Sequence, residues 1–294
     1  MVAIILVNYN GFDVTSDCLK SLENISKDIL NEEFKIYVVD NAGSDGSYEK
    51  LTEYISERQS DNVILIRNKE NLGFAGGNNI AVRRALEEGA DYIVLLNNDT
   101  LVEKDFLGYL LEPFRIYEDC YASVGKIYYE SDRNKIWYAG GKFSYRTGKT
   151  EHLRYGEKED GRQEKIRKVT FATGCCLCIS KECVQNVGLL CEDYFLYDED
   201  TDYCLRILES GHSIYYAPKS VIYHKVSVST GKKKGLADYY MARNRIILIK
   251  KYIKKHRLKA YFISELTYFY RCIKGEMSFK YFIKGILKGI KKVS

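Results

Sequence analysis

Glu199, Asp200 and Asp202 lie within four residues and directly follow the aromatic run Tyr194-Phe195-Leu196-Tyr197-Asp198. Carboxylates set beside apolar rings lose hydration, which raises their pKa and makes an Asp a usable proton acceptor near neutral pH. The plain alternative is that these acids cap the helix containing Cys204-Leu205-Arg206-Ile207-Leu208, and for the cluster in isolation that is the stronger reading. Upstream residues change the balance. Asp40 ends an apolar run and is followed by turn residues, so its carboxylate could accept hydrogen bonds from a base imide or ribose hydroxyl, or simply cap the turn. Asn97-Asn98-Asp99 closes another apolar run. A hard divalent cation bridging two phosphates needs few protein ligands, so Asp99 alone could suffice, with His224 completing the site. A lone His after a strand is more often structural.

The elements that must hold these residues alternate short β-branched runs with helical patterns, which predicts an α/β fold with a mostly parallel sheet covered by helices. Strands are expected at Ala3–Asn8, Lys35–Asp40, Val63–Arg67, Tyr92–Asn97 and Ala122–Tyr128, and helices at Val14–Asn24, Ser47–Glu57, Gly77–Gly89 and Lys104–Glu118. Ligands of such sheets bind beyond the carboxyl ends of the strands. Those ends are polar and glycine-rich here: Asn8-Tyr9-Asn10-Gly11, Asp40-Asn41-Ala42-Gly43, Asn71-Leu72-Gly73-Phe74-Ala75-Gly76-Gly77-Asn78-Asn79 and Asn97-Asn98-Asp99. The third reads as a glycine loop approaching a nucleotide or sugar, without the Lys-Ser/Thr ending of a P-loop or the spacing of dinucleotide folds. Residues 149–168 read as an exposed charged loop or hairpin, and 169–179 as a buried strand.

At 294 residues and 46% hydrophobic content, one large α/β domain with an appendage is expected. No basic leader precedes the strand-like opening, so the nine cysteines are read as free thiols of a reducing cytosol. Cys175 and Cys178 have C-x-x-C spacing, but no second tight pair accompanies them, which favours core packing over zinc. The net charge of +5 does not indicate a nucleic-acid binder. Its distribution is uneven: from Lys232-Lys233-Lys234 to the end, basic residues recur between aromatic and aliphatic ones. Basic amphipathic helices of that kind either lie on an anionic leaflet or pack against the domain or a second copy, giving a homodimer. No apolar run approaches the ~20 residues of a spanning helix.

Together, Val7-Asn8-Tyr9-Asn10, Val38-Val39-Asp40-Asn41, the 71–79 segment, Leu95-Leu96-Asn97-Asn98-Asp99-Thr100, Ala172-Thr173-Gly174, the 197–206 segment, His224 and Arg243-Asn244 resemble the inverting family 2 glycosyltransferases of GT-A fold, in particular their bacterial rhamnosyltransferase-like branch. Each piece is short, and their shared order over residues 2 to 250 makes the resemblance specific. It implies a GT-A domain over 1–249, with a nucleotide-binding part (1–100) and an acceptor-binding part (101–249), followed by a basic helical extension over 250–294. It also implies a hexosyltransferase that moves a sugar from a nucleoside-diphosphate donor, dTDP-rhamnose or a UDP-sugar, to a glycan or lipid-linked glycan in cell-surface polysaccharide synthesis. Asn8, Tyr9, Asn10, Asp40, Asn71, Gly73, Gly76, Asn78, Asn97, Asn98, Asp99 and Arg243 would line the donor site. Asp99 and His224 would hold Mg²⁺ or Mn²⁺, Asn97 standing where the family's metal motif has its first Asp. Asp200 would be the general base, Asp202 its runner-up, and Glu199 an orienting residue. The protein would be cytoplasmic, with peripheral contact on the inner membrane face through its tail. Two other readings compete. A sugar-nucleotide nucleotidyltransferase should show a basic glycine loop near its start, which residues 8–13 lack; a membrane-associated scaffold would tolerate loss of Asp99 and Asp200.

Overall fold

The computed structural model describes residues 1–26, 30, 32–226 and 234–293. Its first part alternates β1 (Val2–Asn8), α1 (Phe12–Leu22), β2 (Phe34–Asp40), α2 (Ser47–Glu57), β3 (Val63–Arg67), α3 (Gly73–Glu87) and β4 (Tyr92–Asn97). These four strands run parallel, in the order β3-β2-β1-β4. A parallel strand covered by helices on both faces is apolar along its length rather than alternating, and Val2–Leu6 of β1 are indeed wholly buried. The order reverses at β1, which opens a crevice at the carboxyl ends of β1 and β4. Pairing sets Asn8 beside Asp40, and Val7 beside Asn97.

The second part is mixed. It comprises β5 (Thr100–Val102), α4 (Phe106–Ile116), β6 (Cys120–Tyr129), β7 (Asp132–Tyr138), β8 (Gly141–Phe143), β9 (Thr150–His152), β10 (Arg167–Val169), β11 (Cys176–Ser180), α5 (Lys181–Val187), α6 (Glu199–Glu209) and β12 (Ser213–His224). Strand β11 inserts antiparallel between β4 and β6, and β12 runs parallel to β6. Short β5 pairs antiparallel with the end of β12, placing His224 opposite Thr100 and so bringing together residues far apart in sequence.

Three expectations need correction. The 71–79 segment is not a loop, because α3 begins at Gly73 and takes Gly76 and Gly77 into its first turns. The buried strand expected over 169–179 is instead β10, a turn and β11; the turn carries Gly174. The charged 149–168 segment is not simply exposed. Its Arg154 and Glu164 side chains are almost fully buried, joined at 2.8 Å, and Glu164 also accepts a hydrogen bond from Tyr216 (2.6 Å). Lys126 reaches Glu159 at 2.8 Å from β6. Charged groups enter the interior here because each finds a partner. The cysteines are free thiols, seven of nine buried.

The chain ends in α7 (Lys234–Tyr252), α8 (Arg257–Ile273) and α9 (Phe279–Val293). The expected 249/250 boundary falls inside α7. Of the basic triplet at 232–234, Lys232 and Lys233 lie outside the described residues. Helix α9 lies close along α7: a Cβ on Gly285 would sit 2.5 Å from the Tyr239 carbonyl, so only glycine permits the approach. No helix among the described residues is long and apolar enough to cross a membrane.

Candidate active site

The end of β1 is organised by a polar network. Asn8 donates to Asp40 Oδ1 and to Ser47 Oγ, both at 2.9 Å, and accepts from Thr15 at 3.1 Å. Asn98 in turn donates to Thr15 Oγ1 at 2.7 Å. Asp40 also accepts from the Gly43 amide (3.3 Å) and is fully enclosed. The expected direct contact of Asp40 with a base or ribose is therefore not offered by this structure, because its carboxylate is spent on holding two strand ends and the following turn. Tyr9 is exposed above this network. Asn10, in the left-handed region at φ 57°, accepts from the Ser44 amide at 2.7 Å.

Asn41 extends the network to the start of α3. It donates to Asn71 Oδ1 and to the Gly73 carbonyl, each at 3.0 Å, and accepts from Asn68 and from the Leu72 amide. Asn71 also accepts from the Gly73 amide at 2.9 Å. Gly73 has φ 71°, and a Cβ there would fall 2.1 Å from the Phe195 carbonyl oxygen. That carbonyl accepts from the Phe74 amide at 2.8 Å, satisfying one of the unpaired donors at the helix start. Gly76 and Asn78, expected to face the donor, are buried inside α3: a Cβ on Gly76 would meet Leu72, and Asn78 donates to the Phe74 carbonyl. Their smallness serves packing.

Across the crevice, His224 Nε2 lies 3.3 Å from Asp99 Oδ1. The chain's one tryptophan, Trp137, meets the His224 ring edge-on at 4.8 Å. His224 Nδ1 is buried without a hydrogen-bond partner among the described residues. A carboxylate beside an imidazole fits a divalent ion accepting both oxygen and nitrogen, as Mn²⁺ does, better than one demanding oxygen alone. No cluster of three or more ligating side chains occurs among the described residues, so a metal here would complete its shell from a diphosphate and water.

The acidic residues are the first turn of α6 itself rather than a cap upstream of it. Tyr197 and the N-cap Asp198 both sit in the left-handed region, at φ 69° and 66°. For non-glycine residues that costs roughly 1–3 kcal/mol each and persists only when surroundings enforce it. Helix α7 enforces it: Asn244 donates to the Leu196 and Tyr197 carbonyls, at 2.8 and 2.6 Å, and Arg245 pairs with Asp198 at 3.0 Å. Asp202 is not available as a base. It is wholly buried and bonded to Arg206 (2.9 Å), Lys251 (2.7 Å) and Tyr252 (2.8 Å).

Asp200 differs. Among the described residues its carboxylate accepts from the Gly174 amide at 3.0 Å and from Thr201, amide and hydroxyl. Burial raises its pKa above the ordinary Asp value, against the lowering pull of those amides. Burial raises Glu199 well above its ordinary value, helped by the neighbouring Asp200 charge, and Glu199 Oε2 has no hydrogen-bond partner among the described residues.

One peptide segment joins the two halves. The Gly174 amide donates to Asp200, and the carbonyl of the following residue, Cys175, accepts from the Asn97 amide at 2.9 Å, two residues before Asp99. A raised carboxylate and the strand end that leads to Asp99 are thereby both tied to residues 174–175. Arg243 is not aimed at that crevice as expected. It bonds to the Asp193 carbonyl and to Asn244 Oδ1, and lies over the Tyr240 ring. Sequence reasoning missed Arg245, Trp137 and Thr15. Position beside Arg243-Asn244 was a usable signal for Arg245; for Thr15, inside a helix, there was none.

The sequence profile of "Glycosyl transferase family 2" matches residues 3–188. The dTDP-rhamnosyl transferase RfbF of Shigella flexneri is 26% identical over 251 residues, covering 79% of this chain and 76% of that protein. Among solved structures, the mannosyltransferase PcManGT from Pyrobaculum calidifontis, in complex with GDP-Man and Mn²⁺, superposes with a TM-score of 0.63 at 14% identity, covering 99% of this chain and 73% of that one. GalNAc-T7 with UDP, GalNAc and Mn²⁺ gives 0.64 at 17% identity, covering 99% of this chain and 58% of that one. These likenesses are to the GT-A fold.

Proposed function

The chain belongs to glycosyltransferase family 2 and is a glycosyltransferase, and from that premise we propose that it transfers one sugar, with inversion, from a nucleoside-diphosphate sugar to a glycan or lipid-linked glycan of a cell-surface polysaccharide. The observation that carries this reading is the 174–175 segment, with Asp200 bonded on one side and the Asp99 strand end on the other. Single displacement needs a base on the acceptor side and charge stabilisation on the leaving-group side, separated by the reacting anomeric carbon.

Asp200 takes the proton of the acceptor hydroxyl as that oxygen forms its bond to the anomeric carbon. Its raised pKa makes it a stronger base than an exposed Asp, and the Gly174 and Thr201 amides fix its orientation. Glu199, the neighbouring buried carboxyl, orients the acceptor or its loop. Asp99 and His224 would hold a divalent ion, which supplies charge stabilisation to the departing nucleoside diphosphate. Tyr9 and Asn97 border the donor crevice, while Asn8, Asp40, Asn71 and Asn98 hold its wall in place. No covalent glycosyl-enzyme is required, which separates this chemistry from the paired carboxylates of retaining hydrolases. The donor to try first is dTDP-rhamnose, because the Shigella relative is described as a dTDP-rhamnosyl transferase.

The test is nucleoside-diphosphate release from UDP-, dTDP- and GDP-sugars, with Mn²⁺, Mg²⁺ or EDTA, for the wild type and Asp200→Asn. Metal-dependent turnover of one donor, lost in the variant although calorimetry still shows donor binding, is the expected result. Equal turnover by Asp200→Asn would remove Asp200 as the base. No donor binding with metal present would overturn the transferase chemistry assigned to this crevice.

A further inference from the structure

The end of α7 and the last two helices carry a charge and a surface unlike the rest of the chain. Residues 250–294 hold thirteen Lys and Arg against two acids, Glu265 and Glu276, a net +11. Residues 1–249 hold thirty-two basic against thirty-eight acidic residues, a net −6. The two acids of the tail do little to offset it outward: both Glu265 carboxylate oxygens are enclosed, and Glu276 lies 3.8 Å from Arg271.

Helix α8 is apolar on two faces. Ala260, Ser264 and Tyr268 turn inward and are buried. Leu258, Phe262, Leu266 and Phe269, spaced by four, four and three, form a second stripe that is exposed, Leu258 at 85% and Phe262 at 68%. Helix α9 repeats the pattern. Phe282 is buried, while Phe279, Ile283 and Leu287 are exposed at four-residue spacing, and each is followed directly by an exposed lysine, Lys280, Lys284 or Lys288. The two stripes meet, because the Phe269 and Phe279 rings pack edge-to-face at 6.3 Å. They therefore form one apolar surface edged by lysines.

A folded domain rarely exposes so large a contiguous apolar surface without a partner. We propose that this α8–α9 face docks on an anionic lipid bilayer, its apolar stripes entering the headgroup boundary and its lysines meeting lipid phosphates. Three observations favour lipid over a second copy of the chain. A two-fold interface through this face would place two +11 tails against each other. Lysines that border an apolar stripe on helices lying flat suit headgroup contact. The remainder of the chain, at −6, would be held off the same surface, which orients the molecule. Helix α9 packs on α7, whose Asn244 and Arg245 hold the acidic turn, so docking would set that turn one helix layer above the lipid.

Vesicle flotation of the full-length protein tests the proposal independently of any transferase activity. Vesicles of phosphatidylcholine alone are compared with vesicles containing about one quarter phosphatidylglycerol. Retention on the anionic vesicles only, weakened by salt, is expected. The triple reversal Lys280→Glu, Lys284→Glu, Lys288→Glu should weaken it about a hundredfold. The polar triple Phe262→Ser, Leu266→Ser, Leu287→Ser should abolish it; circular dichroism and thermal melting establish that the variant is folded, and since all three side chains are exposed, folding should survive. Equal binding to both compositions, or to neither, overturns the proposal. So does a lipid-free dimer in analytical ultracentrifugation that the apolar triple dissociates, because the face would then be a contact between copies.

Discussion

The two sides of the first turn of α6 carry the same chemistry and are treated in opposite ways. On the side facing α7 and the helix's own second turn, Asp198 meets Arg245, and Asp202 meets Arg206, Lys251 and Tyr252. On the side facing Gly174, among the described residues, Asp200 has amide and hydroxyl donors and Glu199 keeps one oxygen without a partner. Cations on one side fix the turn; burial raises the proton affinity of Glu199 and Asp200 on the other, as it does that of Asp198 despite Arg245. A carboxylate's role is thus set by what reaches it, since Asp200 and Asp202 are only two positions apart.

The comparison breaks most visibly under paired substitution. Asp200→Asn preserves size and its bond from Gly174, and should lower kcat by roughly 10²–10⁴ while leaving the melting temperature near wild type. Asp202→Asn should do the reverse. It strands partly buried cations and should cost about 2 kcal/mol of stability, reduced from the full buried-pair figure because Lys251 is substantially exposed, with a smaller loss of rate. If Asp202→Asn lost activity without stability, the assignment of the two sides would be exchanged.

A pH profile sharpens the same contrast. Because burial raises Asp200, the acid limb of kcat should lie above the ordinary Asp range, the rate falling as pH drops through the raised value and the base takes up its proton. The Arg245 charge pulls the Asp200 value down, so Arg245→Gln should move that limb to higher pH. Stability runs the opposite way with pH. Asp198, Glu199 and Asp200 are all raised, so each binds its proton more tightly in the folded chain. Their contribution is full below the unfolded pKa values and is lost as pH rises through the folded ones. Denaturant titrations of the wild type and of Glu199→Gln should converge at low pH and separate as pH rises, with the Gln variant the more stable.

Much of the fold was legible because parallel strands covered on both faces have a sequence signature that helix packing does not obscure. The ends of β1 to β4 fell within a residue or two of expectation, and the apolar runs marked them. Asp200, Asp99 and His224 were singled out by their place after apolar segments and by the order of the family's motifs, and the structure sets His224 beside Asp99. The start of α3 was hidden. Gly-Phe-Ala-Gly-Gly-Asn-Asn has poor helix propensity, and only tertiary contacts with Val7, Asn41 and Phe195 reward its glycines. Residues 149–168 misled for a related reason, since charge reads as exposure until Arg154 and Glu164 are seen to meet. Arg243 and Asp40 were assigned direct ligand roles that geometry redirects to the scaffold, because a sequence names a polar group without naming its partner.

The carbonyl of Phe195 ends the loop that leads to the acidic turn and, in the same atom, begins α3. For anyone wishing to retarget this enzyme, it defines the unit of exchange. Residues 189–198 and the Gly73-Phe74 dipeptide form one module despite their distance in the chain, and a graft that replaces the first while placing any side chain at Gly73 would break the joint on which both depend.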